Sequence, residues 1–549
     1  MRPGAKWFVV MLAGYAAALG YEAWHLGATV DEPSHLMRAY SWWERRQIMF
    51  PPDTPPLTWM TSGWIPLLIK PPVLKDTDAW RIQSSFVVGH ETLRESGALA
   101  ARRLVFFTRL TYLVFPLLAA WLLWHWARQL FSESTSLILT ACAMLEPTLL
   151  GHGPLLKTDV ASAFAALLFF YQAWRYWQRP DLRRALGLVF CLLLAMLVKF
   201  TLAPLVVVAL ALLLWRGPRL AGTLALFAIL YGGILAAYQF RDIRPVSRQD
   251  LEQFRDDGFT PRELSAIRLL GRLPWPPQFI DGLRFVERAN RNQGFPAYML
   301  GRKIEYGAPG YFPLAWAIKF PIALQLATAA GLAALLARLR RGETSAIDAF
   351  VWFPPALFLG LAMRSHIHMG FRHLLPVLPF LILGAGFALD RWSRRGWARA
   401  AAGGCLLWLA VASARIYPQG ISYFNEWVGG PQNGWKYLAD SNIDWGQNLP
   451  ELGAWVAGAG VDKIQVGFFG FDIIEHYLPA EKFESMGAPW DRQYVTTTRL
   501  EPAPGVYAIS VTMMLGYFFE PEYHDYFAWF RERNPDAKAG YSIFIYRVR

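Results

Sequence analysis

About eleven apolar segments, each close to the length that crosses a bilayer, follow one another along this chain. A backbone surrounded by hydrocarbon must satisfy its own hydrogen bonds, and an α-helix does so within one segment. The sequence therefore predicts a mainly α-helical, polytopic membrane bundle. The segments lie near 7–27, 104–126, 135–150, 156–174, 185–198, 201–215, 219–238, 311–337, 347–363, 373–390 and 398–414.

Arginines in short loops predict the orientation of this bundle. The formal net charge is +13, and arginine clusters recur on alternate short loops. Cytoplasmic loops carry the excess of Lys and Arg, so these loops and the N-terminus are predicted to be cytoplasmic. The same distribution explains much of the charge without a nucleic-acid partner. The arginines are Arg128, Arg175, Arg179, Arg183, Arg184, Arg216, Arg219, Arg338, Arg340, Arg341, Arg391, Arg394, Arg395 and Arg399.

Two long outer loops and a C-terminal region complete the predicted organisation. Residues 1–429 form the membrane domain, with outer loops at 28–103 and 239–310. Aromatic residues and prolines in the first loop favour helices that lie on the membrane surface. Short β-branched and aromatic runs then alternate with helical stretches, which predicts a small extracytoplasmic α/β domain over 430–549.

Acidic residues on the predicted outer side are candidates for chemistry. Asp31 and Glu32 follow the first apolar segment, and His35 stands one helical turn later. Lys157 and Asp159 open another segment. A carboxylate at a membrane–water boundary can act as a general base on a hydroxyl. A structural alternative stays open, in which Thr29 or Asp31 caps a helix N-terminus and Asp159 interacts with a helix dipole.

Cations on the same side indicate an anionic ligand. Positive charge is disfavoured in outer loops. Arg offers a bidentate fork for phosphate, and Lys offers a point charge. A phosphate-like ligand is therefore predicted, with snorkelling of the side chains to lipid headgroups as the structural alternative. The candidate phosphate-binding residues are Lys199, Arg372, Lys157, Arg364 and His373.

Two patterns resemble metal sites without completing one. Oxygen-bearing side chains match several ligand positions of a helix–loop–helix calcium loop, but Trp445 stands where that loop needs glycine. His366 and His368 have a spacing that zinc ligands use, and a third ligand is missing. No metal site or cofactor is assigned, and dependence on a divalent metal stays open. The weak calcium candidate consists of Asp440, Asn442, Asp444 and Glu451.

Several of these residues fall in motifs of a known family. The motifs are TVDEPSH at 29–35, TPPL at 54–57, LKTD at 156–159, FRHLLP at 371–376, and the stretch 423–447, which includes DSNIDWGQ. With them, the chain resembles the GT-C glycosyltransferases that use polyprenyl-phosphate-linked sugars. The bacterial branch of the protein O-mannosyltransferase-like family is most similar, and the lipid A aminoarabinose transferases are also similar. Relatives of the aminoarabinose type have lysine where Thr54 stands, so either another cation serves here or the donor binds in a different position.

The resemblance implies an inverting glycosyl transfer on the extracytoplasmic face of a bacterial inner membrane. Asp31 would deprotonate the acceptor hydroxyl, which attacks the anomeric carbon as polyprenyl phosphate leaves. Glu32, His35 and Asp159 would orient the base or the acceptor. The cations would stabilise the leaving phosphate. The implied partners are a polyprenyl-phosphate-linked hexose or pentose, membrane lipids, and an acceptor that is a lipid, a protein or a glycan.

Two other classes of protein compete with this interpretation. A lipid or glycan transporter or flippase should carry internal repeats with broken helices in matching positions, and the sequence shows no such symmetry. A glycan polymerase or ligase would share the outward-facing cations but should favour arginines over an Asp-Glu pair. Glycosyl transfer is the predicted function, and the transporter is the main alternative.

Overall fold

The structure is a computed structural model. It describes residues 3–45, 48–217, 220–291, 295–392, 395–487 and 497–549. All of the apolar segments predicted from the sequence are helical over most of their length, which confirms the polytopic, mainly α-helical fold. In the described ranges, six helices are long and apolar enough to span a membrane by themselves: Ala98–Leu130, Leu220–Ala237, Ile322–Arg340, Ala346–Arg364, Phe371–Trp392 and Gly396–Ile416.

The first half of the chain consists mainly of long helices, and short helices lie in the first long loop. One predicted segment is interrupted at Glu146, whose carboxylate accepts a hydrogen bond from the backbone N–H of Leu149 at 2.6 Å. An acceptor at that position followed by Pro147 is a favourable start for a new helix. The helices are α1 (Pro3–His25), α2 (Glu32–Arg45), α3 (Leu57–Ser62), α4 (Trp64–Ile69), α5 (Asp78–Arg81), α6 (Ser85–Ser96), α7 (Ala98–Tyr112), α8 (Val114–Leu130), α9 (Glu133–Met144), α10 (Pro147–His152), α11 (Thr158–Gln178), α12 (Leu182–Val198), α13 (Leu205–Arg216) and α14 (Leu220–Ala237).

The second half begins with the other long loop. Pro321 divides the predicted segment 311–337 into two helices, because proline has no N–H for a helical hydrogen bond. Asn425 donates to the carbonyl groups of Ala317 and Phe320 at this break. The elements are α15 (Arg248–Asp256), α16 (Pro261–Leu270), α17 (Pro277–Arg291), β1 (Ala297–Met299), β2 (Arg302–Ile304), α18 (Tyr311–Lys319), α19 (Ile322–Arg340), α20 (Ala346–Arg364), a 3-10 helix (Phe371–Val377), α21 (Leu378–Trp392) and α22 (Gly396–Ile416).

The C-terminal region contains a five-stranded mixed sheet, which confirms the small α/β unit. Its elements are α23 (Leu449–Ala459), β3 (Ile464–Gly467), β4 (Phe483–Ser485), β5 (Gly505–Ser510), α24 (Val511–Leu515), α25 (Ala528–Arg531), β6 (Ala537–Ala539) and β7 (Ile543–Val548). The strand order is β4-β3-β5-β7-β6. Strand β3 pairs in parallel with β4 and β5, and β7 is antiparallel to both of its neighbours.

Helix α11 is the central helix of the bundle. It packs against α8, α12 and the 3-10 helix Phe371–Val377, and most of its side chains are buried. The segment 420–448, between α22 and the C-terminal sheet, is also largely buried and packs near the N-terminal end of α11. A domain boundary at residue 430 stays a prediction, since this segment contacts both parts of the molecule.

Candidate active site

Asp31 lies in a network of ion pairs at the N-terminal end of α11. Its Oδ2 is 2.6 Å from Nζ of Lys157 and 3.9 Å from Nη1 of Arg372. Burial raises the pKa of Asp31, but Lys157 and Arg372 outweigh burial and hold the pKa below its ordinary value. The side chain of Asp31 is 18% exposed. The network therefore contains an ionised carboxylate that is only partly covered.

Asp159 holds two of the candidate cations together. Its Oδ1 is 2.5 Å from Nζ of Lys199, and its Oδ2 is 3.2 Å from Nη1 of Arg372. Asp159 is only 1% exposed. Both of its oxygens are occupied by cations, so Asp159 orients these cations. With Lys157 and Asp31, these ion pairs join three cations to two carboxylates, and the buried carboxyl of Asp440 also interacts with Arg372. Three cations gathered in one place can bind an anionic ligand.

Glu32 is a structural carboxylate. It is buried and accepts hydrogen bonds from Arg109 Nε at 2.8 Å, from the N–H of Thr29 at 2.8 Å and from the N–H of Leu156 at 3.0 Å. Arg109 also donates to backbone carbonyls at the end of α1 and just beyond it. Burial raises the pKa of Glu32, and the ion pair with Arg109 more than offsets this increase. Glu32 thus joins the end of α1 to the loop before α11.

His35 lies between Trp59 and Lys157. Nε1 of Trp59 donates to its Nδ1 at 3.2 Å, and its Nε2 is 3.2 Å from Nζ of Lys157. Burial, with the neighbouring charges of Lys157 and Arg38, lowers the pKa of His35 well below its ordinary value. A neutral imidazole has one acceptor nitrogen, so its tautomer decides whether His35 accepts from Trp59 or from Lys157, and it adds no charge of its own.

Arg38 is a cation that the sequence analysis missed. Its guanidinium is buried, forms an ion pair with Asp53 and donates to Oγ of Ser34 at 2.8 Å. Its Nη1 lies 3.4 Å from Oγ1 of Thr54, the position at which aminoarabinose-type relatives have lysine. Arg38 therefore provides a positive charge beside Thr54. The sequence could have indicated a buried role for Arg38, because the residue stands among apolar residues of α2.

The structure does not bring every predicted phosphate ligand into the network. Arg364 is exposed at the end of α20, and among the described residues no ion pair includes it. His373 shares the 3-10 helix with Arg372, and its Nε2 is buried with no hydrogen-bond partner in the described part of the chain. The histidines considered for zinc lie near each other, since a Cβ atom added at Gly307 would be 2.6 Å from Cδ2 of His366 and 3.1 Å from Cε1 of His368. Among the described residues no third ligand joins them.

The weak calcium candidate is not assembled in the structure. Oδ2 of Asp444 accepts a hydrogen bond from the N–H of Thr512 at 2.7 Å, and Oε1 of Glu451 accepts from the amide of Gln419 at 2.6 Å. Protein donors thus occupy oxygens that a calcium ion would need. Across the ranges that the structure describes, no group of three or more His, Cys, Asp or Glu residues is arranged to hold a metal.

Asp444 provides a test of this structural role. Burial raises its pKa to about 7, and hydrogen bonds from Thr512 lower it only partly. A carboxyl group with a raised pKa stabilises the fold below its ordinary pKa of 3.8, and this contribution is lost as the pH rises through about 7. Asp444→Asn keeps an acceptor for Thr512, so we expect a higher Tm at about pH 8 and a smaller change of Tm between about pH 5 and pH 8. Thermal unfolding measured by intrinsic fluorescence checks this result.

The exposed Asp462 is the matched control for this test. Asp462→Asn should reproduce the wild-type pH dependence. If Asp444→Asn also reproduces it, the carboxyl of Asp444 is not the group that titrates.

The bundle, the small C-terminal sheet and the charged cluster define a multi-pass membrane protein. Residues 102–240 match the family model described as dolichyl-phosphate-mannose-protein mannosyltransferase. This match confirms the predicted resemblance for a segment that contains Lys157, Asp159 and Lys199. No curated protein sequence matches the chain.

Solved structures of low sequence identity are similar to this chain. An oligosaccharyltransferase from Archaeoglobus fulgidus in the apo form has a TM-score of 0.43 at 13% identity, covering 94% of this chain and 72% of that chain. ArnT from Cupriavidus metallidurans in the apo state has a TM-score of 0.33 at 12% identity, covering 98% of both chains.

Proposed function

We propose that this protein is a glycosyltransferase that moves a hexosyl or pentosyl group from a polyprenyl-phosphate donor to an acceptor hydroxyl. The observation that carries the proposal is the ionised, partly exposed carboxylate of Asp31 beside the three cations Lys157, Lys199 and Arg372. A general base next to a phosphate-binding cluster is what transfer from a sugar phosphate requires. The matching family, named for a dolichyl-phosphate-linked sugar, supports this class of donor.

The base step uses the exposed position of Asp31. In the proposed reaction its carboxylate accepts the proton of the acceptor hydroxyl, and the oxygen attacks the anomeric carbon from the side opposite the phosphate. The configuration inverts, the bond between the anomeric carbon and the phosphate oxygen breaks, and polyprenyl phosphate leaves. Lys157 lies 2.6 Å from the base and keeps it ionised until the acceptor binds.

The cations serve the leaving group. Negative charge increases on the phosphate as the glycosidic bond breaks, and fixed positive groups stabilise that charge without reorganising. Lys199 and Arg372 share Asp159 as a partner, so they are held in place before the donor arrives.

The proposed topology follows the arginine-rich loops. With those loops in the cytoplasm, the N-terminal end of α11, the ion-pair network and the C-terminal sheet lie on the extracytoplasmic face of a bacterial inner membrane. Acceptor recognition by residues 430–549 is part of the proposal, because the sheet lies on the same side as the network.

The experiment that tests the function measures release of polyprenyl phosphate from a panel of lipid-linked sugars. Purified protein in lipid nanodiscs is incubated with each donor and a membrane extract that supplies acceptors, with and without EDTA. Turnover with one donor would support the proposal and identify the sugar, and its loss with EDTA would establish dependence on a metal. No turnover with any donor would contradict the proposal and favour the transporter alternative.

Lys199→Met should weaken the binding of polyprenyl phosphate about tenfold, because it removes one charge-assisted contact to phosphate. Lys199→Arg keeps the charge and should recover most of the affinity. The exposed Lys70 is the control, and Lys70→Met should bind like wild type. A titration with polyprenyl phosphate measures all three variants, and unchanged binding by Lys199→Met would remove this residue from the phosphate site.

A further inference from the structure

The segment 440–447, which carries the motif DSNIDWGQ, contacts the Arg372 side of the ion-pair network. Oγ of Ser441 accepts a hydrogen bond from Nε of Arg372 at 2.9 Å. The guanidinium carbon of Arg372 lies 4.3 Å from the centre of the Trp445 ring, a cation–π contact. Oδ1 of Asn442 accepts from the N–H of Phe371 at 2.9 Å, so the backbone before Arg372 is also held.

The same segment contacts the chain next to Asp31. The carbonyl of Trp445 accepts a hydrogen bond from the N–H of Val30 at 2.9 Å, and the carbonyl of Gln447 accepts from the N–H of Gly27 at 3.0 Å. Both donors lie in the short connection between α1 and α2. One stretch of chain is therefore bonded to the residue before Asp31 and to the side chain of Arg372.

Buried hydrogen bonds hold this segment in the structure. Asn442, Asp444 and Gln447 are fully buried, and the amide of Gln447 donates to the carbonyl of Ile443 at 2.9 Å. The ammonium group of Lys319 is buried and donates to the carbonyls of Ile421 (2.9 Å) and Asn442. Buried polar groups that are all paired specify one arrangement, because any other arrangement leaves some of them unpaired.

Close packing restricts the alternatives further. Gly370 has a φ of +141°, and a Cβ atom added there would collide with Oγ of Ser441. Ser441 also donates to the carbonyl of Met369. The backbone before Arg372 therefore passes directly over Ser441, an approach that only glycine permits at position 370.

We infer that residues 440–447 position Arg372 relative to Asp31, and so set the distance between the phosphate ligand and the base. Ser441 and Trp445 are positioning residues in this inference, which rests on the proposed function. The reason is geometric. Nε of Arg372 donates a hydrogen bond to Ser441, one face of the guanidinium packs on the Trp445 ring, and Nη1 donates to Asp159. A guanidinium held at three places keeps one orientation toward an anion.

The motif DSNIDWGQ, which calcium binding does not explain, thus has a role in positioning Arg372. This role also predicts the result of deleting residues 430–549, an experiment that would test acceptor recognition by the C-terminal region. Removal of 430–549 would take away the positioning segment together with the sheet, so donor binding should suffer as well as transfer. A deletion that spares donor binding must retain the positioning segment, residues 440–447.

A double-mutant cycle between Ser441 and Arg372 tests the inference. Ser441→Ala removes the acceptor for Nε and should lower kcat/KM for the donor about 10- to 100-fold, the size of effect that a misplaced catalytic group produces. In an Arg372→Lys background the same change should cost less than about threefold, because lysine has no Nε–H to lose. Ser413→Ala is the matched control, since Ser413 is also a buried serine. Its hydroxyl donates to the carbonyl of Leu409 in α22 and to the carbonyl of Leu145 between α9 and α10.

The outcomes separate this inference from the proposed function. Wild-type turnover establishes the function, and its absence would contradict that function and remove the basis of the inference. An equal loss from Ser441→Ala in both Arg372 backgrounds would mean that Ser441 acts only on stability, and would overturn the inference alone. Trp445→Phe gives a second readout: it keeps an aromatic face and should stay within about threefold of wild type, whereas Trp445→Leu should show the Ser441→Ala defect.

Discussion

Asp31→Asn should lower the rate of sugar transfer by about 100- to 10,000-fold, the range that loss of a general base produces. The substitution keeps the shape of the side chain and removes its negative charge and basicity. Binding of polyprenyl phosphate should be retained or become tighter, because the carboxylate near the cations no longer repels the phosphate. Initial rates with saturating donor, together with a titration with polyprenyl phosphate, measure the two effects separately.

Asp250 offers a matched control for this variant. It is an ion-paired carboxylate, 2.5 Å from Arg244, and its 16% exposure is close to the 18% of Asp31. Asp250→Asn should leave transfer unchanged. Equal transfer by Asp31→Asn and wild type would exclude Asp31 as the base. The remaining carboxylates of the cluster, Asp159 and Glu32, would then need testing, although both are already engaged by cations.

Glu32→Ala should destabilise the protein by about 3–5 kcal/mol, since it leaves the buried guanidinium of Arg109 without its carboxylate. Both side chains are 1% exposed, and Nη2 of Arg109 lies 2.5 Å from Oε2 of Glu32. The expected result is a large fall in Tm or a loss of folded protein from detergent extracts. Thermal unfolding followed by size-exclusion chromatography measures it.

A double variant distinguishes ion-pair loss from simple truncation. Replacing Glu32 and Arg109 together by methionine removes both charges, and a well-packed apolar pair can substitute for a buried ion pair. The double variant should therefore recover part of the stability that Glu32→Ala loses. A double variant less stable than Glu32→Ala would show that the carbonyl contacts of Arg109, rather than its charge pair, determine stability.

Asp31 and Glu32, the acidic pair after the first helix, have different roles in these two predictions. From the sequence, a helix cap by Thr29 or Asp31 stayed open beside catalysis, and Glu32 was expected to orient the base or the acceptor. In the structure the oxygens of Glu32 accept hydrogen bonds from Arg109, Thr29 and Leu156, so Glu32 is a structural residue in these predictions. Asp31 differs because its side chain is more exposed. Adjacent carboxylates on one turn can thus serve stability and chemistry separately.

Most of the helices could be predicted because their signal is local. An apolar stretch of about twenty residues must form a helix in hydrocarbon whatever surrounds it. The break at Pro321 is also a local effect, but it was not predicted because a long apolar run surrounds the proline. The new start at Glu146 was missed for the same reason.

The site could be predicted only in part. Asp31, Asp159, Lys199 and Arg372 were recognisable because charge next to an apolar segment is costly and needs a reason. Arg38 was missed, since its partner Asp53 lies in a loop where charged residues are common. The oxygens of the calcium candidate matched a spacing pattern, but spacing does not reveal which donors the folded chain brings to them.

Hydropathy and charge along the chain identify a polytopic helical membrane protein with charged groups at the ends of its apolar segments. Hydropathy is a property of each single segment, so it can be read without knowing what packs against that segment. Which polar and charged groups meet depends on the folded chain, because Arg372 lies 213 positions from its partner Asp159 and 69 positions from its partner Ser441. Such pairings depend on how the helices pack, and the energy of an ion pair or hydrogen bond falls off within a few ångströms.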